Sequence, residues 1–309
     1  MRTLTNVIAV SALVLAACSS SPSTSPATVP PGSTQSVTTV PVTTLPVTTV
    51  PPTTQPSTTQ PATTQPATTS STMPVVSSAQ AMYLVKGETL RVAGRYLGTW
   101  DATAVVRALL LGPTAAERAA GISTQIPAGT TVRSVAIEGN TAIVDLSKQF
   151  ESGGGSLSMQ LRVAEVVYTL TALPDVDAVT FRLDGKAVTS IGGEGIVAVN
   201  VGRTTLQDAV LPPILLEDPF DGAKLVQPLV FGGTTNAFEA TVNYEVVDAT
   251  GKVVAKGMTM ATCGSGCWGG FHAQLKPFAP GFTLPVRLRV FDISMKDGSR
   301  VDLQEIKLT

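Results

Sequence analysis

Few side chains in this sequence are suited to acid–base chemistry. It has one histidine, His272, and contains neither the HExxH pattern of zinc peptidases nor the GxSxG pattern of serine hydrolases. Carboxylates remain, and Asp145, Glu151 and Glu194 are the candidates for the acid pair of a glycosidase acting on peptidoglycan. Each lies where a solvated loop or strand-end carboxylate is expected, and nothing in the sequence places two of them at catalytic separation. We therefore predict no catalytic residues and no enzymatic activity.

A glycine loop at residues 152–156 opens a helical pattern and has one chemical alternative. The free N–H groups at a helix N-terminus bind anions such as phosphate. However, neither GK[ST] nor the GxGxxG spacing is present, so a tight strand-to-helix connection is favoured. Residues 192–195 are interpreted in the same way, as a flexible loop at the edge of a domain. No cofactor is predicted.

Composition places the chain among globular proteins without a nucleic-acid signature. Its 309 residues are 43% hydrophobic and 14% charged, with a net charge of -1, and no basic run is present. A nucleic-acid partner is therefore not expected.

The N-terminus has the features of an export signal. Arg2 precedes an apolar segment at residues 7–17, and this segment leads into the sequence LAAC, which ends at Cys18. The ending resembles the lipobox of bacterial lipoproteins, which implies removal of residues 1–17 and attachment of lipid to Cys18. The alternative is a buried cysteine in a short anchor helix, but the apolar run is too short to span a bilayer. We expect a chain anchored in the cell membrane by lipid, with its folded part outside the cytoplasm.

Residues 18–77 have the composition of a disordered linker. They are almost entirely Thr, Pro, Ser, Gln and small apolar residues, with a TTxPx repeat over residues 38–67. Such a segment cannot form a core and is predicted to be extended, reaching on the order of 170 Å at 3.1 Å per residue. It would act as a tether, and both glycosylated threonines and an unmodified spacer fit its composition.

The other two cysteines lie close together in the part of the chain that is expected to be exported. Cys263 and Cys267 enclose the sequence GSG, and a disulfide is the first choice for such a pair outside the cytoplasm. A metal site is not predicted, because His272 is not at conventional zinc-ligand spacing. Trp268 is either a contact residue or a core or strand-edge aromatic.

A hairpin is predicted at the centre of the chain. Two β-branched runs flank the turn dipeptide Gly139-Asn140. Pairing outward from that turn predicts three opposed pairs: Ile137 with Ala142, Val135 with Val144, and Arg133 with Leu146. One face of the hairpin is therefore apolar and needs a cover.

An amphipathic helix that follows the glycine loop supplies this cover. Ser156 is its expected N-cap and Pro174 its expected stop. Its apolar stripe has a period of 3.6 residues and comprises Met159, Val163, Val166, Val167, Leu170 and Leu173.

A second, smaller apolar patch lies on the opposite side of this helix. Leu157, Leu161 and Tyr168 fall there, around Glu165. One interpretation is that the helix predicted at residues 102–111 packs on them within the same domain. The other is that they form an exposed interaction site for another subunit or envelope protein.

The remaining signals complete an α+β domain at residues 78–211. Two strands precede a helix capped by Asp101, Thr114 and Glu117 have the spacing of a capping box, and a last strand pair surrounds Asp184-Gly185. The order β-β-α-β-β-α-β is expected to fold as an antiparallel sandwich of a sheet and helices.

This domain resembles a known family. The run VDLSKQFESGGGSLSMQLRVAEVVYTLTALPDVDAVTFRLDGKAV is similar to the GerMN domain of bacterial envelope lipoproteins, and the similarity extends over residues 83–211. The resemblance implies an α+β module like the ring-building domains of envelope assemblies, which act through protein contacts. It implies no catalytic residues.

Residues 212–309 have a different pattern, with seven short alternating runs and no helical period. Seven strands in fewer than a hundred residues are typical of an immunoglobulin-like all-β sandwich. The sequence NAFEATVNYEVVDATGKVVAKGMTMATCGSGCWGGF, followed by VRLRVFDISMKDGS, resembles the immunoglobulin-like domain that accompanies GerMN domains.

These features together predict a non-enzymatic, lipid-anchored envelope lipoprotein that works as an interaction or assembly module. Its expected partners are the membrane, other envelope proteins or a second copy of itself. The alternative is a module that binds peptidoglycan or a small solute in the groove between its domains. An aromatic platform would favour that alternative, but aromatic residues make up only 5% of the chain.

Overall fold

A computed structural model describes residues 79–98 and 101–309. The predicted signal peptide, the linker and Cys18 lie outside these residues. The described chain forms an α+β domain followed by an all-β domain, as predicted.

The first domain begins with a three-stranded sheet. Strands β1 (Ala79–Lys86) and β2 (Thr89–Tyr96) form a hairpin, and β3 (Ile122–Ser123) pairs with the other edge of β1. The hairpin turns at Gly87, whose φ of +64° suits glycine. β1 is therefore the central strand of this sheet.

Two helices connect β2 to β3, and both begin at the predicted caps. Helix α1 (Ala102–Leu110) starts where Asp101 accepts the backbone N–H of Ala104 at 2.7 Å. Helix α2 (Ala115–Ala119) starts with the predicted capping box of Thr114 and Glu117.

The second sheet of this domain has four strands in the order β4-β5-β6-β7. Its elements, with the helix that crosses between them, are β4 (Val132–Glu138), β5 (Thr141–Leu146), helix α3 (Ser156–Leu170), β6 (Ala178–Leu183) and β7 (Lys186–Ala187). β5 and β6 run parallel, so the expectation of a purely antiparallel arrangement is wrong. The reason is that α3 carries the chain back over the sheet, and a strand that follows such a crossover lies parallel to the strand before it.

The predicted register of the β4–β5 hairpin is confirmed near the turn and wrong at its far end. Ile137 pairs with Ala142 and Val135 with Val144. Leu146 pairs with Val132 instead of Arg133, because a bulge shifts the register between Val132 and Ser134.

Helix α3 is buried on almost every side. All six residues of the predicted stripe are buried, and the helix also packs on β1, β2, β6 and α1. Its ends differ from the prediction, because Gly155 is the N-cap and the helix stops at Leu170, before Pro174. Since α3 has neighbours on several sides, the domain core surrounds it.

Short elements lead from the first domain to the second. They are β8 (Ser190–Ile191), β9 (Ile196–Val197), a 3₁₀ turn at Arg203–Thr205 and helix α4 (Gln207–Val210). β8 and β9 form a small hairpin of their own.

The second domain contains the seven predicted strands in two facing sheets. They are β10 (Ile214–Asp218), β11 (Val230–Thr235), β12 (Thr241–Val247), β13 (Val253–Met260), β14 (Gly269–Gln274), β15 (Val286–Ile293) and β16 (Arg300–Leu308). One sheet has the order β10-β11-β14 and the other β13-β12-β15-β16. The apolar residues of the two inner faces form a separate core.

Candidate functional site

The two domains meet at a junction that contains a partly buried polar cluster. Arg203 lies at the start of the 3₁₀ turn, and its guanidinium carbon is 5.0 Å from the ring centroids of both Tyr83 on β1 and Tyr168 on α3. Its Nη1 donates to Oε1 of Glu217 on β10 at 2.8 Å. Because Glu217 belongs to the second domain and the two tyrosines to the first, this cluster joins the domains. We call these four residues the clasp.

Further hydrogen bonds satisfy the polar atoms of the clasp. Arg203 Nε donates to Thr171 Oγ1 at 2.9 Å, and the Tyr83 hydroxyl donates to Glu217 Oε1. Thr234 Oγ1 donates to the other oxygen of Glu217 at 2.9 Å. Both carboxylate oxygens are thus bonded, as a charge removed from water requires.

The electrostatics of the clasp fit a structural role. Burial raises the pKa of both tyrosine hydroxyls far above the ordinary value, and the carboxylate of Glu217 raises it further. Burial alone lowers the pKa of the Arg203 guanidinium, but Tyr83 and Glu217 outweigh burial and raise it. The tyrosines therefore stay neutral and Arg203 stays charged at physiological pH, which stabilises the ion pair and offers no group for proton transfer.

Two further contacts hold the domains together near the clasp. Arg91 on β2 donates to Oε1 of Gln304 and, at 2.6 Å, to the backbone oxygen of Glu305, both on β16. The ring of Phe220 lies over Gly94, where an added Cβ would be 2.5 Å from the ring carbon Cδ2. A side chain at position 94 would therefore push the domains apart.

The predicted disulfide lies beside another contact between the domains. Cys263 and Cys267 are joined in the structure, with 5.7 Å between their Cα atoms. Trp268 follows directly, packs against the core of the first domain and donates from its indole Nε1 to Asp208 at 2.5 Å. Of the two roles considered for Trp268, the structure shows the core or strand-edge aromatic, half-buried directly before β14.

A cleft of about 530 Å³ opens between the two domains. The first domain lines it with β2 and with residues near α2, and the second with β15 and β16. Its charged lining residues are Lys86, Arg91, Glu117, Asp221, Arg287, Glu305 and Lys307, and none of the described residues that line it is aromatic.

Two of the three residues predicted as an interaction patch are inside the first domain. Leu161 and Tyr168 are each 2% exposed, and Tyr168 packs on Tyr83 with 5.3 Å between the ring centroids. Leu157 alone remains accessible, with 37% of its surface exposed. The expectation of an exposed patch is therefore wrong for Leu161 and Tyr168, because β1 and Arg203 cover this side of α3.

The candidate carboxylates have individual structural partners. Asp145 is buried, accepts the backbone N–H of Gly185 at 2.9 Å and lies 3.4 Å from Arg133, so the expectation of a solvated carboxylate is wrong for it. Glu151 lies 4.0 Å from Lys148, and Glu194 is exposed in the turn between β8 and β9. Within residues 79–98 and 101–309, no three acidic, His or Cys side chains are grouped as metal ligands would be.

The glycine loop contacts the positively charged side chain of an arginine of this protein. Arg162 on α3 is buried and donates to the backbone oxygens of Phe150, Ser152 and Gly153 at 2.8–3.0 Å. A loop that directs carbonyl oxygens at a buried guanidinium presents acceptors where an anion needs donors. The geometry favours the structural interpretation of this loop.

Helix α3 also carries a buried carboxyl group that was not predicted from the sequence as a candidate site. Glu165 accepts from Thr124 Oγ1 and from the backbone N–H of Gln125, both at 2.6 Å. Burial raises the pKa of Glu165 to about 8, although these two donors and Arg162 oppose the rise. The sequence could have identified it as a charged residue at a position enclosed by apolar neighbours.

The comparisons with known proteins agree with the two-domain description. Residues 76–189 match the family described as sporulation and spore germination, and residues 214–299 match the immunoglobulin-like domain of bacterial spore germination. Both families are domains of a non-catalytic type. No curated protein matches the chain.

Solved structures of related domains align with parts of the chain. The first GerMN domain of the sporulation protein GerM from Bacillus subtilis is 24% identical, with a TM-score of 0.35, covering 41% of this chain and 98% of that one. The tandem GerMN domains of the same protein are 17% identical, with a TM-score of 0.36, covering 64% and 61%. A candidate lipoprotein from Clostridium perfringens is 18% identical, with a TM-score of 0.32, covering 43% and 91%.

The assignment rests on the two family matches, which follow each other along the chain without overlap. No helix in the described residues is long and apolar enough to cross a membrane. The chain thus carries a region that matches the sporulation and spore germination family, followed by a region that matches the immunoglobulin-like domain of bacterial spore germination.

Proposed function

We propose that this protein is a non-enzymatic envelope module that is anchored by lipid on Cys18 and assembles with other envelope proteins or with copies of itself. In this proposal, residues 18–77 are the tether, and residues 78–211 and 212–309 are the two domains that it presents outside the cytoplasm.

The observation that carries the proposal is the clasp. Two domains joined only by a linker would move independently, and their interface would be small and polar. Here Arg203 and Glu217 form an ion pair across the junction, while Trp268 and Phe220 of the second domain pack on the core of the first. These contacts hold the surfaces of both domains in a fixed relation, which suits a component of an assembly.

The ionisable side chains form bonds within the protein, which supports a non-catalytic role. The buried and half-buried ionisable residues described above are used in structural bonds: Arg162 with the glycine loop, Glu165 with the segment after β3, and Arg203 with Glu217. A catalytic group needs access to a substrate, and these side chains face other parts of the protein.

Exposed apolar side chains on the second domain supply a surface for partner contact. Four of them lie on the hairpin formed by β15 and β16, namely Ile293, Met295, Val301 and Leu303. Met295 is 79% exposed at the turn of this hairpin. Flexible apolar residues on a projecting hairpin are suited to protein contacts.

In-cell photo-crosslinking tests the assembly role. A photoreactive residue is placed at Met295 or Leu303 of the full chain, with the exposed turn residue Thr250 as the matched control. We expect discrete adducts from the first two positions, identified by mass spectrometry as a second copy or an envelope protein, and none from Thr250.

A second variant makes the result decisive. Lys substitutions at both Met295 and Leu303 should remove an adduct captured from the neighbouring position Val301. If the same adducts also form from Thr250, or if they persist in the double-Lys variant, the hairpin is not an assembly surface.

A further inference from the structure

The cleft between the domains carries uncompensated positive charge. Its acidic residues all have partners: Glu117 forms a two-point ion pair with Arg95, with both contacts at 2.6 Å, and Glu305 pairs with Arg289 at 2.5 Å. Asp221 accepts the backbone N–H of Lys307 at 2.7 Å and interacts electrostatically with Arg91. The acidic charge of the cleft is thus balanced by nearby groups.

The two lysines of the cleft are not balanced in this way. Neither the Lys86 nor the Lys307 ammonium forms an ion pair within 4.0 Å or a hydrogen bond in the described part of the chain. Lys86 ends β1 of the first domain, and Lys307 lies on β16 of the second. Two free cations therefore approach one cleft from two domains.

Of the two arginines of the cleft, Arg91 is held in place more firmly than the half-exposed Arg287. Arg91 is fixed by its bonds to Gln304 and Glu305, and Arg287 lies 3.6 Å from a Glu305 oxygen. Donors that are already ordered lose less entropy when a ligand binds. At about 530 Å³, the cleft is also in the size range of sites for small organic molecules, which often lie between domains.

We propose that this cleft binds an organic oxyanion about the size of a monosaccharide or disaccharide, with Lys86 and Lys307 as its principal charge partners. The described lining of the cleft has no aromatic side chain on which a sugar face could stack, so the carboxylate or phosphate is the recognised group. The proposal stands apart from the assembly role, because the cleft and the β15–β16 hairpin tip involve different residues.

Calorimetric titration of the full chain tests the proposal. N-acetylmuramic acid serves as the carboxylate probe, glucose 6-phosphate as the phosphate probe and glucose as the uncharged control. We expect saturable binding of at least one anion, weaker at high salt because screening reduces the attraction, and no binding of glucose. Preference for one probe identifies the carboxylate or the phosphate as the source of the oxyanion.

Charge-removing variants assign the binding to the cleft. Lys86→Gln and Lys307→Gln should each weaken binding by roughly tenfold, and the double variant by more, because each removes a charge-assisted contact. Lys252→Gln, an exposed lysine in the β12–β13 turn, is the matched control and should leave binding unchanged. Thermal melts of each variant confirm folding.

Three results would overturn the proposal. They are the absence of saturable binding of both anions at millimolar concentration, equal binding of glucose, and undiminished binding by the folded Lys86→Gln/Lys307→Gln variant.

Discussion

At the residue scale, Arg203 shows how one side chain can serve three neighbours. Its guanidinium carbon lies 5.0 Å from the ring centroids of both Tyr83 and Tyr168, and the side chain forms an ion pair with Glu217. If one member of this ion pair is removed, the charge of the other member is left without a partner in a poorly hydrated site. The contribution of each residue to stability therefore depends on the presence of the others.

The first prediction concerns Glu217. Glu217→Gln keeps the shape of the side chain but removes its charge from beside Arg203. We expect a loss of about 1–3 kcal/mol in the free energy of unfolding, since a partly buried charge loses its partner. Urea unfolding measures it, with the exposed Glu239→Gln as the control; equal stability of the two variants would contradict a role for the clasp.

The second prediction concerns Glu165 and pH. Its folded-state pKa is raised from 4.5 to about 8, so its contribution to stability is complete below about pH 4.5 and is lost as pH rises through about 8. Glu165→Gln imitates the protonated carboxyl and should remove this part of the pH dependence. Melting temperatures from pH 5 to pH 9 compare the two proteins, and parallel curves would show that Glu165 does not titrate in this way.

At the element scale, two separate links hold the loop between β13 and β14. The disulfide closes the loop, and Trp268 attaches it to the first domain through Asp208. Closing such a small loop with a disulfide removes little conformational entropy from the unfolded chain. Its larger effect is to hold Trp268 in position.

The third prediction separates these two effects. The double variant Cys263→Ser/Cys267→Ser should lower the free energy of unfolding by roughly 2 kcal/mol. In a Trp100→Phe background, where Trp268 is the one remaining tryptophan, its fluorescence should also become more accessible to iodide. Unchanged quenching would mean that the loop holds Trp268 without the disulfide.

Local patterns predicted the elements better than they predicted their arrangement. The caps at Asp101 and Thr114 and the seven strands of the second domain depend on neighbouring residues, so they could be predicted from the sequence. The parallel pairing of β5 with β6 and the bulge at Arg133 depend on tertiary packing. Burial of Leu161 and Tyr168 within the domain was one of two interpretations of the sequence, and only tertiary packing could decide between them.

The candidate site could be predicted from the sequence even less well than the arrangement of the elements. Tyr83 and Glu217 are 134 residues apart in the sequence, and Lys86 and Lys307 belong to different domains. No periodicity or motif connects them. A groove between the domains was expected as an alternative ligand site, but its cationic lining could be seen only after the domains were placed together.

At the scale of the whole molecule, the proposed attachment to the membrane would depend on Cys18, and this gives the fourth prediction. Cys18→Ser should abolish labelling by an alkyne fatty acid and move the protein from the membrane fraction to the soluble fraction, because no sulfur remains for the lipid. Ser19→Ala is the matched control. A Cys18→Ser protein that remains labelled and membrane-bound would rule out this anchor.

The position of β1 has a mechanical consequence. Strand β1 begins at Ala79, the first described residue, and it is hydrogen-bonded to β2 along its whole length and to β3 at its end. Four residues into this strand, Tyr83 is bonded to Glu217 of the second domain. A pulling force on the N-terminal segment would therefore load the central strand and the contact between the domains at the same time, so tension would reach the second domain without passing through the rest of the first.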